Sequence, residues 1–293
     1  MAIAYLIVAH KSPDQILRLV RALHHSGAFF VIHIDKRAAD DVYVPLREYA
    51  ASHPEVLLTK RHRCYWGSFG IAQAMIACVN TAIRSNRPFE YAFLLSGQDY
   101  PIKNTEQIAA FLEQNKGKEF MESFSLTKPN RWTEQGGAFQ AMARVMHWTL
   151  FLRSRTFHFR IPRKFPFGWE PYGGSQWWCL SREALAHIES FLRKNRSYLR
   201  YFKHVFIPDE AIFQSILSNS EFRDRIVNDD LRYIDWENPN PLYPRTLESN
   251  DFEKLAASPK LFARKFQPDR SAECLDLIDA RFLGIASEHA SKP

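Results

Sequence analysis

The constraint that acts first on this 293-residue chain is the regular exchange of short apolar runs for amphipathic ones over its first hundred residues. AIAYLIVA at 2–9, FFVIHID at 29–35, VLLT at 56–59 and YAFLLS at 91–96 are short, continuous apolar runs and predict buried strands. Between them, SPDQILRLVRALHH at 12–25, VYVPLREYAA at 42–51 and FGIAQAMIACVNTAI at 69–83 predict helices, the first opened by Ser12 as cap and by Pro13. Strand and helix alternating in this way predict an α/β, Rossmann-like fold: a mixed, mainly parallel sheet flanked by helices. Ligands of such sheets gather beyond the carboxyl ends of the strands. The residues found there are His10 and Lys11, then Asp35, Lys36 and Arg37, then Gly97, Gln98, Asp99 and Tyr100. An acidic residue after an early strand suits ribose hydroxyls, but no G-x-G-x-x-G accompanies it, so a nucleotide fits and NAD does not.

Beyond residue 124 the pattern weakens, and 125–172 reads as irregular. Within it, LRSRTFHFRIPRKFPFGW at 152–169 mixes Arg153, Arg155, Arg160, Arg163 and Lys164 with aromatics. That stretch is either a solvated basic loop or a surface for nucleic acid, lipid headgroups or an anionic glycan. GGSQWWCLSRE at 173–183 reads as a glycine and aromatic turn, followed by helices at 182–195 and 209–218, a strand LRYIDW at 231–236 and LFARKF at 261–266. No linker-like composition divides the chain, so one domain over 1–293 is expected, in two halves at 1–124 and 125–293.

Cys64, Cys78, Cys179 and Cys274 form no CxxC, which predicts reduced thiols and neither zinc site nor disulfide framework. A net charge of +7 favours an anionic partner. No apolar run approaches the roughly 18 residues of a membrane span, and AIAYLIVA has no basic leader or cleavage site. The expectation is a cytoplasmic protein, with any membrane contact peripheral and at the inner face.

Glu210, in IPDEAIFQSIL, follows Pro208 and Asp209 at a predicted helix start. There it is either a capping residue or a rigid, ionised carboxylate able to act as a general base. Asp235 and Glu237 in DWE are the best metal-ligand candidates, but a single acidic pair is a weak signal, and no Asp-x-Asp occurs in the chain.

Taken in order, AYLIVAHKSPDQILRLVRAL, FFVIHIDKR, CYWGSFGIAQA, YAFLLSGQDYPIKNTEQI, GGSQWWCLSRE, IPDEAIFQSIL and LFARKF give the chain a pattern that resembles the core-2/I-branching β-1,6-N-acetylglucosaminyltransferases and the related peptide O-xylosyltransferases. GGSQWW and LFARKF look closer to the xylosyltransferase branch. The resemblance implies a GT-A-like fold and inverting transfer of GlcNAc or xylose from a UDP-sugar to a hydroxyl of a glycan or lipid-linked glycan. It makes Glu210 the catalytic base and Arg245 and Lys265, with Arg264 adjacent, the cations that receive the diphosphate in place of a metal. It also places His10, Asp35, Tyr65, Trp66 and Asp99 on the donor, and Glu122, Arg131 and Trp132 on the acceptor. Trp177 of the GGSQWW pair is expected on the acceptor, stacked on a sugar ring, while one of Trp177 and Trp178 must face the core. Arg264 and Lys265 should point to opposite sides of an extended segment. The animal enzymes carry a membrane anchor, a stem and disulfides that this chain does not show, so a bacterial-type soluble member is expected, with UDP-sugar as co-substrate and no cofactor. Two rivals stand beside this reading. One is a non-catalytic basic module for nucleic acid or anionic glycan, disfavoured because the charge is dispersed and no nucleic-acid motif is present. The other is a UDP-sugar hydrolase on the same fold.

Overall fold

The computed structural model describes residues 1–152, 155–237 and 243–285; Arg153 of the basic-aromatic stretch lies outside the described residues. Four strands, β1 (Ile3–Ala9), β2 (Ala28–Ile34), β3 (Val56–Leu58) and β4 (Tyr91–Ser96), pair in parallel, with α1 (Pro13–Leu23), α2 (Asp40–Ser52) and α3 (Phe69–Arg84) crossing between them. Their spatial order is β3-β2-β1-β4, so the chain winds one way from β1 and returns on the other side for β4. That reversal opens a crevice between the ends of β1 and β4, where His10 and Asp99 follow their strands.

The start of α1 differs from expectation. Ser12 adopts a left-handed backbone (φ 57) and its side chain caps nothing. Pro13 at the first turn and the Ser12 carbonyl, which accepts the Ile16 N–H at 3.2 Å, begin the helix instead. At α3 the cap is real, since the Ser68 hydroxyl accepts the Gly70 N–H.

The chain beyond residue 99 is more ordered than its sequence suggested. It contributes β5 (Tyr100–Pro101), α4 (Thr105–Gln114), β6 (Glu119–Ser125), α5 (Arg131–Met146), β7 (His147–Leu152), β8 (Arg155–Pro162), β9 (Tyr172–Ser181), α6 (Arg182–Lys194) and α7 (Arg196–Phe202). After these come α8 (Ile212–Ser218), β10 (Ile226–Val227), β11 (Arg232–Ile234), α9 (Phe252–Ala257), β12 (Phe262–Arg264) and α10 (Pro268–Ile278). The main sheet runs β10-β6-β9-β4-β1-β2-β3, with β9 alone reversed, so it draws strands from both sides of residue 124. β11-β12-β5 form a small second sheet and β7-β8 a two-stranded ribbon.

The stretch read as a glycine turn is therefore the middle of β9. Gly173 and Gly174 serve close approach rather than turning: a Cβ on Gly174 would lie 1.8 Å from the Glu122 carbonyl oxygen across the β6–β9 ladder. Likewise 125–172, read as irregular, holds α5 and the ribbon. The main sheet is buried on both faces, which is why its strands read as unbroken apolar runs. Leu6, Val31, Leu94 and Trp178 meet α3, α6 and α8, while Tyr5, Ile7, Phe30 and Phe93 meet α1, α4 and α10. Cys78, Cys179 and Cys274 lie in these cores, Cys64 is half-buried, and all four are free thiols as predicted.

Candidate active site

Glu210 sits at the end of a 3-10 turn, Pro208–Glu210, rather than in the first turn of a helix. Ile207 takes a left-handed conformation (φ 53), and its N–H donates to the Gly67 carbonyl at 2.9 Å. Gly67 is itself left-handed (φ 71) and lies against the Phe206 ring, where a Cβ would come within 2.7 Å. The predicted helix at 209–218 begins only at Ile212, so the turn and not a helix terminus aims the carboxyl. Asp209 is 4% exposed. The Glu210 side chain keeps 28% of its surface open and has Arg144 as its charged partner, Nη1 to Oε2 3.5 Å. Burial, with the Asp209 charge second, pushes Glu210 up to about 8, against the pull of Arg144 and Arg131. A rigid, ionised carboxylate was expected at this position; burial and the Asp209 charge favour the protonated form against it.

The acceptor-side candidates surround this turn. Glu122 on β6 pairs with Arg131 at 2.7 Å, and both act electrostatically on Glu210. Burial raises the Glu122 pKa while Arg131 opposes it. Asn130 caps α5 by accepting the Trp132 and Thr133 N–H groups, which fixes the Arg131 direction. Trp132 was expected to touch acceptor sugar, but it is 5% exposed, packed edge-on to Phe124 and over Gly173. Its outer face carries the Arg144 guanidinium, 4.3 Å from the ring centre. Trp132 thus holds the wall of the site and does not present a stacking surface. Arg144, absent from the sequence-based candidates, lies on a helix whose periodicity was not apparent in the sequence.

On the donor side, Asp35 is 3% exposed. Its carboxylate accepts from the Arg37 guanidinium at 2.8 Å and from the Arg37 and Cys64 N–H groups at 2.9 and 3.3 Å. Burial alone would raise its pKa, yet these donors outweigh it and hold Asp35 below its ordinary value. The Arg37 guanidinium lies over the Tyr65 ring at 4.3 Å. Trp66 is 52% exposed and edge-on to Phe206 at 5.5 Å. Cys64 feels both Asp35 and Asp209, which joins the donor residues to the Glu210 turn. His10 lies at the exposed end of β1, within electrostatic reach of Asp35 and Lys11.

Deeper in, Asp99 is fully buried, bonded by the Ser96 N–H, with the Arg264 Nε 3.5 Å and the Arg232 Nε 4.0 Å away. Both guanidiniums lie over Trp177, at 4.1 and 5.4 Å, and Trp177 is 8% exposed. Trp178 is the core member of the pair, fully buried. Within the protein, Arg264 Nε and Nη1, Arg232 Nε, Gln98 Nε2 and Asp99 Oδ1 are buried without a hydrogen-bond partner. Unspent polar atoms gathered at a strand end mark a place for a polar guest.

Arg264 faces Trp177, and the ammonium of Lys265, one residue beyond the end of β12, lies 5.5 Å from the Tyr243 ring centre. Among the described residues no carboxylate pairs with Lys265. Burial lowers its pKa, and Arg264, Lys11 and Arg270 lower it further, the signature of cations crowded without an anion. Arg245 is placed differently from the expected partner of Lys265. Its donors go to Asp235 (2.6 Å), Asp251 (2.5 Å) and the Thr246 carbonyl (3.4 Å), and it ties β11 to the turn before α9. Asp235 is accordingly the counterion of Arg245 and accepts from the Glu237 N–H at 2.8 Å. Among the described residues no three His, Cys, Asp or Glu side chains gather as a metal cage.

Two surface grooves lie on the outer face of α3, one lined by Leu57, Asn80 and Arg84, the other by His62, Gln73 and Arg200. Neither of these two is lined by Glu210, Asp99 or Lys265.

The family described as Core-2/I-Branching enzyme matches residues 3–256 of this chain. The "Xylosyltransferase oxt" of Drosophila pseudoobscura pseudoobscura is 26% identical over 293 residues, covering 91% of this chain and 32% of that protein. The "Xylosyltransferase 2" of Homo sapiens is 26% identical over 307 residues, covering 96% of this chain and 34% of that protein. The chain therefore spans about a third of the length of these curated relatives. With the family's match running from β1 through α9, across the turn that carries Glu210, the chain belongs to the Core-2/I-Branching enzyme family.

Proposed function

We propose that this chain is an inverting, metal-independent glycosyltransferase that moves GlcNAc or xylose from a UDP-sugar to a hydroxyl of a glycan or lipid-linked glycan. The observation that carries the reading is the Glu210 carboxyl, raised to about 8 on a turn with Arg144 at its side and acidic and basic side chains beyond. A base whose pKa lies near working pH transfers protons most effectively. The acceptor oxygen attacks the anomeric carbon opposite UDP and forms the new C–O bond as its proton passes to Glu210. The bond to UDP breaks, and the departing diphosphate takes up the negative charge.

Lys265, without a carboxylate partner among the described residues and near Lys11, and the Arg264 Nη1 donor are suited to meet that charge and to supply stabilisation otherwise asked of a metal. Arg245 contributes chiefly as a strut, since its donors hold Asp235 and Asp251. His10, Asp35, Tyr65 and Trp66 form the nucleoside end, Asp99 and Trp177 the sugar end, and Glu122 with Arg131 the acceptor end of this reading. Glu210→Gln should lower kcat by about 10² to 10⁴ while UDP affinity stays unchanged. Near-wild-type transfer by this variant, assayed with and without acceptor to separate transfer from hydrolysis, would remove the proposal. Activity should persist in excess EDTA.

A further inference from the structure

The β7–β8 ribbon carries an apolar face that the proposed reaction does not use. Its antiparallel register sets Trp148 opposite Phe159, Leu150 opposite Phe157 and Leu152 opposite Arg155, so all of these share one side, with Ile161 continuing it. Trp148, Leu150, Leu152, Phe157, Phe159 and Ile161 are 40 to 63% exposed, which makes this the main concentration of exposed large apolar side chains among the described residues. The opposite side is the one fixed to the protein. Thr149 is buried and its N–H donates to the His204 carbonyl at 3.0 Å, while the His158 ring rests edge-on against Phe206 at 4.8 Å. A two-stranded ribbon has no cover of its own, so the outer face calls for one.

The charge around that face says what the cover is. From 147 to 169 the sequence contains no Asp or Glu. Arg155, on the apolar side, and Lys164, after the ribbon, are exposed and, among the described residues, without acidic partners, while Arg160 lies on the opposite side. A second copy of the chain laid face to face would bring these like charges together. An anionic lipid surface would receive them at its headgroups while Trp148 and the Phe and Leu side chains enter the interface below. We propose that the outer face of the β7–β8 ribbon docks the protein on a bilayer containing anionic lipid. The proposal concerns where the protein works and is independent of the role given to Glu210.

Co-sedimentation with mixed phosphatidylcholine and phosphatidylglycerol vesicles, against phosphatidylcholine alone, tests it. The protein should pellet with the mixed vesicles and bind the neutral ones far less. Leu150→Ser with Phe157→Ser, and separately Arg155→Glu with Lys164→Glu, should each weaken binding about tenfold or more, with Tm and UDP binding retained. Protein that stays in the supernatant with both vesicle types would overturn the proposal, as would undiminished binding by the apolar variant. Sedimentation showing a concentration-dependent dimer that Leu150→Ser with Phe157→Ser dissolves would overturn it in favour of a protein partner.

Discussion

Burial and the neighbouring Asp209 raise the Glu210 carboxyl pKa to about 8, with Arg144 and Arg131 pulling the other way. A base must be unprotonated to act, so kcat/KM should rise with pH and level off above about 8. Arg144 favours the charged form, and its removal raises the carboxyl pKa further. Arg144→Met should therefore displace the rising limb to higher pH, measurable in a full pH–rate profile; an unmoved limb would separate Arg144 from Glu210. The two basic candidates are also distinguished at this scale. Lys265→Ala should weaken UDP binding by about tenfold in calorimetry, whereas Arg245→Ala should chiefly lower stability by about 2 to 3 kcal/mol, because it leaves Asp235 and Asp251 without their cation. Glu210 and Lys265 stand out in the sequence through local context. Their charge environment does not, because Arg144, Lys11 and Asp251 reach them only through the fold.

Elements were legible where burial gives them a period. The four strands and three helices of the first half follow from unbroken apolar runs and 3.6-residue spacing, since both sheet faces are covered. β9 was hidden by its glycine pair, which in isolation has the composition of a turn; only the nearness of β6 explains it. The alternation Phe157-His158-Phe159-Arg160-Ile161 did signal a strand, but cations on one side and an outward apolar face on the other obscured which side was inside. Gly174→Ala tests the close approach of β6 and β9. Its Cβ would meet the Glu122 carbonyl, which cannot swing away as a side chain could, so urea unfolding should show a loss of about 2 kcal/mol or more.

At the scale of the whole molecule, the chain is drawn together by contacts far apart in sequence. Arg18 of α1 binds Asp276 at 2.7 Å and Asp279 at 2.6 Å, and the Tyr100 hydroxyl donates to Asp279 at 2.6 Å, seating α10 on the second core. Arg18→Ala should cost about 2 to 3 kcal/mol and make the segment from 268 onward more open to limited proteolysis. Equal protease resistance would show that apolar burial alone seats α10. The reversed strand β9 has a consequence of another kind. It carries Trp177 under the Arg264 and Arg232 guanidiniums and, three residues earlier, Gly174 against the Glu122 carbonyl. Both halves of the cleft are thus indexed to one ruler. On the proposed function, a change that slides this strand to suit a different donor would misplace the acceptor wall by the same step.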